Sequence, residues 1–257
     1  MRVLDLFAGE GGAGTGYSWA GFTIYAVDND PARLANNPHP SHLGDVFDVL
    51  ETLLNGGAVT FTHKDGRAED LKLGDFSAAH GSPTCTGYSR GTVALPNRLE
   101  RYDRLIAATR AGLQATGLPY IIENVEDAGD ELRNPLMLCG SEFGLGAIDT
   151  DGTRLRLERH RLFESNIFLY GAGGCEGLHS GPRDRTQTAG AYGGARRDKT
   201  EAREIRKGGY VPKDLDVLRT MLGTPWMTEK GCFLSIPPAY TEFIGQQLMT
   251  HILEVAA

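Results

Sequence analysis

The opening thirty residues narrow the possible folds more than any other stretch. Arg2-Val-Leu-Asp-Leu-Phe7 reads as a short buried strand, and the glycine-rich Ala8-Gly-Glu-Gly-Gly-Ala-Gly14 follows it. A helix-like stretch then runs to about Gly21. Phe22 to Val27 reads as a second strand, closed by Asp28-Asn29-Asp30-Pro31. Strand, glycine loop, helix, strand and acidic residue open a doubly wound α/β sheet. Such a loop lets backbone approach a nucleotide-like cofactor closely, and Asp28 is placed to accept hydrogen bonds from ribose hydroxyls. The spacing Gly9-x-Gly11-Gly12-x-Gly14 departs from Gly-x-Gly-x-x-Gly. Taken alone it suits dehydrogenases, methyltransferases or a purely structural turn.

The rest of the chain supplies the elements such a sheet needs. Strands are expected at Phe76–His80, Leu118–Ile122 and Arg161–Tyr170. Helices are expected at Leu99–Thr116, Asp214–Leu222 and about Thr241–Val255, with a turn at Gly44-Asp45-Val46. From Gly171 to about Gly209 glycine, arginine and small polar residues displace the apolar periodicity, which predicts a loop-rich lobe. At 257 residues there is room for one large domain with a small insert. No apolar run nears the roughly 18 residues of a membrane span, so no membrane association is expected. The start enters a strand without a signal-peptide layout, so a cytoplasmic location is expected.

Charge and cysteines constrain partners. The net charge of −7 opposes nucleic-acid binding on average. Its distribution is uneven: Arg183 to Lys207 holds eight Lys/Arg against four Asp/Glu, and Arg154 to Arg161 holds four Arg and one Glu. Basic stretches on an acidic body suit a grip on a polyanion along one face, or simply a solvated surface. Cys85, Cys139, Cys175 and Cys232 lie far apart with no Cys-x-x-Cys pair, as expected of free thiols in a reduced compartment. Cys175 and His179 make half a metal site at most, and with no second pair nearby no metal is expected.

Four clusters carry chemistry. Cys85 follows a strand, in a loop of Gly, Ser, Pro and Thr, where an open sheet binds its ligands. Exposure and nearby amides there would lower its pKa; the alternative is a small buried residue. Glu123-Asn124 again stands at a strand's carboxyl end, where a carboxylate after apolar residues needs a partner or a task. Arg159-His160-Arg161 can hold a phosphate or a base carbonyl, or cover a surface.

The order of these clusters is more specific than any one of them. Asp5-Leu-Phe-Ala-Gly9-x-Gly-Gly12, Pro83-x-Cys85-x-x-x-Ser89, Glu123-Asn-Val125 and Arg159-x-Arg161 together resemble the cytosine-C5 DNA methyltransferases over nearly the whole chain. Asn134-Pro-Leu-Met-Leu-Cys-Gly140, Arg159-His-Arg-Leu-Phe-Glu-Ser165 and Ile236-Pro-Pro-Ala-Tyr-Thr-Glu242 look like compact phage and actinobacterial members. The resemblance implies a Rossmann-like α/β core, its sheet mostly parallel with one antiparallel strand, and a small irregular target-recognition lobe. The core would span 1–165 and the lobe 166–216, with 217–257 returning to the core. S-adenosylmethionine would be the cofactor and double-stranded DNA the partner of a monomer.

By the same resemblance Cys85 attacks C6 of a flipped-out cytosine, Glu123 holds the N3/N4 edge, Arg161 binds the O2 side and Arg159 supports the active-site loop. Phe7, Ala8, Gly9, Gly11 and Gly12 would line the cofactor, Asp28 would take its ribose, and Asp45 and Val46 its adenine, with Asn29, Ser82 and Ser235 completing the site. Ser89, Arg90, Arg196, Arg197, Arg203, Arg206 and Lys207 would contact DNA. The chain departs from the family pattern at Thr84 and Thr86, where Pro and Gln usually flank the nucleophile, and at Leu157 and Leu234, where polar residues are usual. Rival readings are the same chemistry on tRNA, a catalytically silent DNA-binding homologue, and a nicotinamide dehydrogenase.

Overall fold

Alternation along the buried strands determines how the layers stack. The computed structural model describes residues 1–88, 103–179, 186–189, 210, 212 and 214–255. The first half of the chain folds as β1 (Arg2–Leu6), α1 (Gly12–Trp19), β2 (Thr23–Asp28), α2 (Pro31–Asn36), β3 (Ser41–Leu43) and α3 (Val46–Leu54), then β4 (Val59–Thr62), β5 (Ala68–Leu71) and β6 (Ala78–Gly81). Next come α4 (Ile106–Ala115), β7 (Tyr120–Val125), β8 (Leu136–Leu138), β9 (Gly146–Ile148), β10 (Arg154–Leu157), β11 (Arg161–Ser165) and β12 (Gln187–Ala189). The described chain ends in α5 (Leu215–Leu222), α6 (Glu229–Leu234) and α7 (Pro238–Val255).

Nine strands form one sheet in the order β5-β4-β3-β2-β1-β6-β7-β11-β8. Its centre, β3-β2-β1-β6-β7, is parallel throughout. Only β4 and β11 run against the other seven. The mostly parallel α/β sheet matches expectation; the single antiparallel strand becomes two, because a hairpin, β4-β5, extends the β3 edge. Side chains alternate between faces. Val3, Ile24 and Ile121 pack against Tyr17 of α1 and Tyr240, Ile244 and Leu248 of α7. Leu4, Tyr25 and Ile122 pack on the other face against Val49, Leu50 and Leu53 of α3 and Ile106 and Leu113 of α4. Helices α1 and α7 touch backbone to backbone at Gly16, where any Cβ would overlap the Pro238 carbonyl.

A second sheet of three strands, β12-β10-β9, packs with α5 and α6 around Leu155, Leu157, Leu218, Met221, Leu222 and Phe233. Two of its strands come from 146–157, a stretch the sequence assigns to the core. β11 stops at Ser165, short of the expected Tyr170. Beyond it, Gln247 of α7 captures the backbone: Tyr170 N donates to Oε1 at 2.9 Å, and Nε2 donates to the Tyr170 carbonyl at 3.2 Å. The helix expected from Leu99 is α4, starting at Ile106; residues 99–102 lie outside the described set.

Candidate active site

The glycine loop is a backbone cradle held by one carboxylate. Phe7, Gly9 and Gly11 have φ of 58°, 53° and 85°. Phe7 is the costly one, since a residue with a Cβ rarely adopts that region, and such strain gathers at functional loops. Gly9 N donates to Asp28 Oδ2 at 2.8 Å, and Asp30 N donates to Asp28 Oδ1 at 2.9 Å. Asp28 is buried at the end of β2, so it fixes the loop and its own turn while still lining the cavity. Asp45 caps α3, accepting from Phe47 N at 2.8 Å.

A cavity of about 450 Å³ opens between this loop and the β6 and β7 ends. Of the expected cofactor residues, Phe7, Ala8, Gly9, Gly12, Asp28, Asn29, Asp45, Val46, Ser82 and Ser235 line it. Gly11 lies behind the loop, where a Cβ would come within 2.8 Å of Asn37 Oδ1 and Pro38 Cδ. Asp5 forms part of the floor. It is fully buried and approaches the Gly14 backbone, yet neither oxygen makes a well-formed hydrogen bond. Burial first, and then the Asp28 charge, push its carboxyl up to about 8.

The opposite wall carries Cys85. The loop from Ser82 to Thr86 leaves the end of β6, and Asn124 Nδ2 pins it by donating to the Pro83 carbonyl at 2.9 Å. Behind it His80 lies between Tyr17 Oη, 3.0 Å from Nδ1, and Ser82 Oγ, 2.6 Å from Nε2. Burial pulls His80 down to about 3, so the ring is neutral at pH 7. Cys85 is half-buried and lines the cavity beside Thr84 and Thr86. Its thiol is pushed up by burial, with Arg161 opposing and Glu123 adding. That corrects the expectation of an exposed, acidified cysteine: here loss of solvent outweighs the nearby positive charge.

Glu123 and Arg161 complete this wall as a buried pair, Arg161 Nε donating to Glu123 Oε1 at 2.9 Å. Arg161 also donates through a terminal nitrogen to the His160 carbonyl at 2.8 Å. Burial pushes the Glu123 carboxyl up, while Arg161 and then Arg159 pull it down. Arg159 is not among the cavity's lining residues. It is buried and donates to the carbonyls of Cys232 (3.2 Å) and Phe233 (2.5 Å) in α6, while Tyr240 Oη donates to its own carbonyl at 2.6 Å. Its charge still reaches Cys85 and Glu123.

The sequence reading missed a third wall. Met227, Lys230 and Gly231, around the start of α6, line the cavity. Glu10 of the glycine loop holds them there: its carboxylate accepts from Thr228 N at 2.7 Å and from Thr228 Oγ1 at 2.5 Å. More than 200 residues separate these partners, and no local pattern marks them. Besides the protonated Asp5, the cavity is lined by the carboxyl groups of Glu10, Asp28, Asp45, Asp103 and Glu123 and by the cations Arg33, Arg161 and Lys230.

Other expectations fare differently. Ser89, Arg90, Arg196, Arg197, Arg203, Arg206 and Lys207 lie outside the described residues. The expectation of no metal assumed that Cys175 and His179 lack a second pair. The fold supplies one, bringing Cys139 and His160 to them.

No family model matches the chain. Among solved structures, a protein described as a DNA modification methyltransferase encoded within a prophage (E. coli) superposes with a TM-score of 0.54. The identity is 14%, and the match covers 99% of each chain. The S. pombe Dnmt2 methyltransferase superposes at 0.52 with 13% identity, over 98% of this chain and 99% of that one. At such identities the likeness is one of fold, and the chain has the Rossmann-like α/β fold of these methyltransferases.

Proposed function

We propose that the chain is an S-adenosylmethionine-dependent DNA (cytosine-5-)-methyltransferase with Cys85 as its nucleophile. The observation that carries this reading is the convergence of three features on one cavity: the Asp28-braced glycine loop, Cys85, and the Glu123–Arg161 pair. The motif order in the sequence and the shared fold support it. With Asp5 protonated and Glu123 paired to Arg161, the carboxylates of Glu10, Asp28, Asp45 and Asp103 face Arg33 and Lys230, an excess that suits a ligand carrying positive charge, such as a sulfonium and an ammonium, better than a dinucleotide with its diphosphate. That weighs against the nicotinamide reading. Asp28 and Asp45 both reach the cavity, and as acceptors they suit ribose hydroxyls and an adenine amino group.

When bound, S-adenosylmethionine supplies an electrophilic methyl group. Cys85 gives its thiol proton to solvent, its thiolate sulfur adds to C6 of the cytosine as the C5–C6 π bond breaks, and those electrons move to C5, which becomes the nucleophile. A Glu123 carboxyl raised by burial suits a proton donor to N3, and so keeps the added ring neutral. Arg161, fixed by Glu123 and the His160 carbonyl, presents a donor toward the base's O2. Once C5 has gained its methyl group and S-adenosylhomocysteine is left, solvent takes the C5 proton, the C5–C6 double bond re-forms, the Cys85 thiolate is expelled and the N3 proton returns to Glu123. The target base must leave the duplex to reach such a cavity.

Bisulfite sequencing of DNA from cells expressing the chain tests this. Protected cytosines in a fixed sequence context are expected. Unprotected DNA with methylated tRNA would move the same chemistry to RNA; cofactor binding with neither nucleic acid methylated would leave a silent homologue.

A further inference from the structure

Away from the cavity, four soft donors meet that no step of the proposed reaction uses. Cys139 follows β8, His160 precedes β11, and Cys175 and His179 lie in the segment after residue 171. Cys139 Sγ is 3.3 Å from His179 Nε2, and Cys175 Sγ is 3.5 Å from His160 Nε2. All four donor atoms lie within 4.8 Å of one another. None of these residues lines the cavity. We propose that Cys139, His160, Cys175 and His179 form a structural zinc site.

The geometry is close to what zinc requires. With Zn–S near 2.3 Å and Zn–N near 2.0–2.1 Å, a tetrahedron puts sulfur and nitrogen about 3.6 Å apart. Two separate thiol–imidazole hydrogen bonds would explain each short distance, but not the convergence of both pairs. Nor would they explain the outer nitrogens. Both histidines turn Nε2 inward and Nδ1 toward a carboxylate: His160 to Glu126 Oε2 at 3.2 Å, His179 to Glu158 Oε2 at 4.0 Å. A carboxylate hydrogen-bonded to the outer nitrogen, as Glu126 is, orients and strengthens a metal-bound imidazole, and Glu158 stands near enough to favour the same ring orientation by its charge. Glu142 braces the two cysteine segments together, accepting from Cys139 N at 2.7 Å and Gly174 N at 2.9 Å.

Two thiolates and two imidazoles select zinc among common divalent ions, and four protein ligands leave no open position for catalysis. The role follows from connectivity. His160 sits between Arg159, which grips α6, and Arg161, which pairs with Glu123. An ion there would tie the edge strand β8 and the segment after 171 to the linker that sets Arg161.

The test uses the full chain purified without a polyhistidine tag under reducing conditions, with metal measured by mass spectrometry. The expected content is about one zinc per chain. It should fall below about a tenth of that in Cys175→Ser and His179→Ala, and stay unchanged in Cys85→Ser, whose sulfur lies in the cavity. Because ligand variants can fail to fold, wild-type protein reconstituted with cobalt provides an independent readout. Intense visible bands and a thiolate charge-transfer band would mark a tetrahedral site with sulfur ligands. Glu126→Gln with Glu158→Gln should weaken zinc affinity about 10- to 100-fold. Folded wild-type protein that neither retains nor takes up zinc would overturn the proposal. So would full zinc content in Cys175→Ser. None of these readouts depends on methyl transfer.

Discussion

The glycine-loop side of the cavity comes almost entirely from one continuous stretch, residues 5 to 46, whereas the cysteine side is assembled from 82–86, 123–125 and residue 161. Within that stretch the bonds are local, Asp28 holding Gly9 and Asp30 and Asp45 capping the helix it precedes, although Glu10 also reaches across the chain to Thr228. On the second they span the chain. Asn124 holds Pro83, Arg161 holds Glu123, and Arg110 of α4 reaches Glu164 of β11. One wall of a cofactor pocket can thus be carried largely by a short chain segment, while its closure by Met227 to Ile236 and the chemistry performed in it depend on tertiary placement.

If that division holds, damage to the two sides separates cleanly. The largest effect is expected from Cys85→Ser: turnover should fall on the order of a thousandfold or more, with S-adenosylhomocysteine affinity unchanged by calorimetry. Near-normal turnover would remove Cys85 from the mechanism. Next is the long-range brace. Arg110 Nε and a terminal nitrogen each contact a Glu164 oxygen at 2.6 Å, and Glu164 also accepts from Arg133 N at 2.8 Å. Arg110→Met leaves that buried carboxylate unpaired and should cost about 3–5 kcal/mol in denaturant unfolding. An unchanged midpoint would mean β11 is held by other means.

Asp5 gives a pH signature on the glycine-loop side. Its folded carboxyl titrates at about 8 against an ordinary 3.8. Between those values the folded chain keeps a proton that the unfolded chain has lost, so stability falls as pH rises from about 4 to about 8. The fall should be on the order of a few kcal/mol, and Asp5→Asn should flatten it. An unaltered slope in that variant would place the titrating group elsewhere. The smallest effect is expected from Asp28→Ala, which removes a charged acceptor. S-adenosylhomocysteine binding should weaken by about 1.5–3 kcal/mol, while a Cys85 reactivity assay with a thiol reagent should not change. Loss of thiol reactivity in this variant would show that the two sides are not separable.

The same division explains what was legible in the sequence. β1, β2, β6 and β7 were expected within about three residues of their observed ends, because buried strands flanked by glycine or acidic residues are encoded locally. Asp28 and Cys85 stood at strand ends for the same reason. The hairpin β4-β5 was not foreseen: Val59 and Phe61 alternate with exposed Thr60 and Thr62, but four residues are too few to stand out. The three-residue strands β8 and β9 give still less pattern. The α6 wall depends on Glu10 meeting Thr228 across the whole chain, which no window of sequence reveals. The Cys–His cluster was hidden likewise, its donors lying at 139, 160, 175 and 179 with only one short spacing among them.

The central claim is that Cys85 forms a covalent bond to a cytosine ring, and substrate trapping tests it most directly. The full chain would be incubated with S-adenosylmethionine and a duplex carrying the methylated sequence with 5-fluorocytosine at the target. Fluorine at C5 leaves no proton to remove, so the thiolate cannot be expelled after methyl transfer. Intact mass spectrometry should then find protein and methylated strand joined in equal amounts, with the linkage mapping to the Cys85 peptide and missing in Cys85→Ser. Methylation of the unfluorinated duplex with no trapped adduct, or an adduct at another residue, would contradict the account.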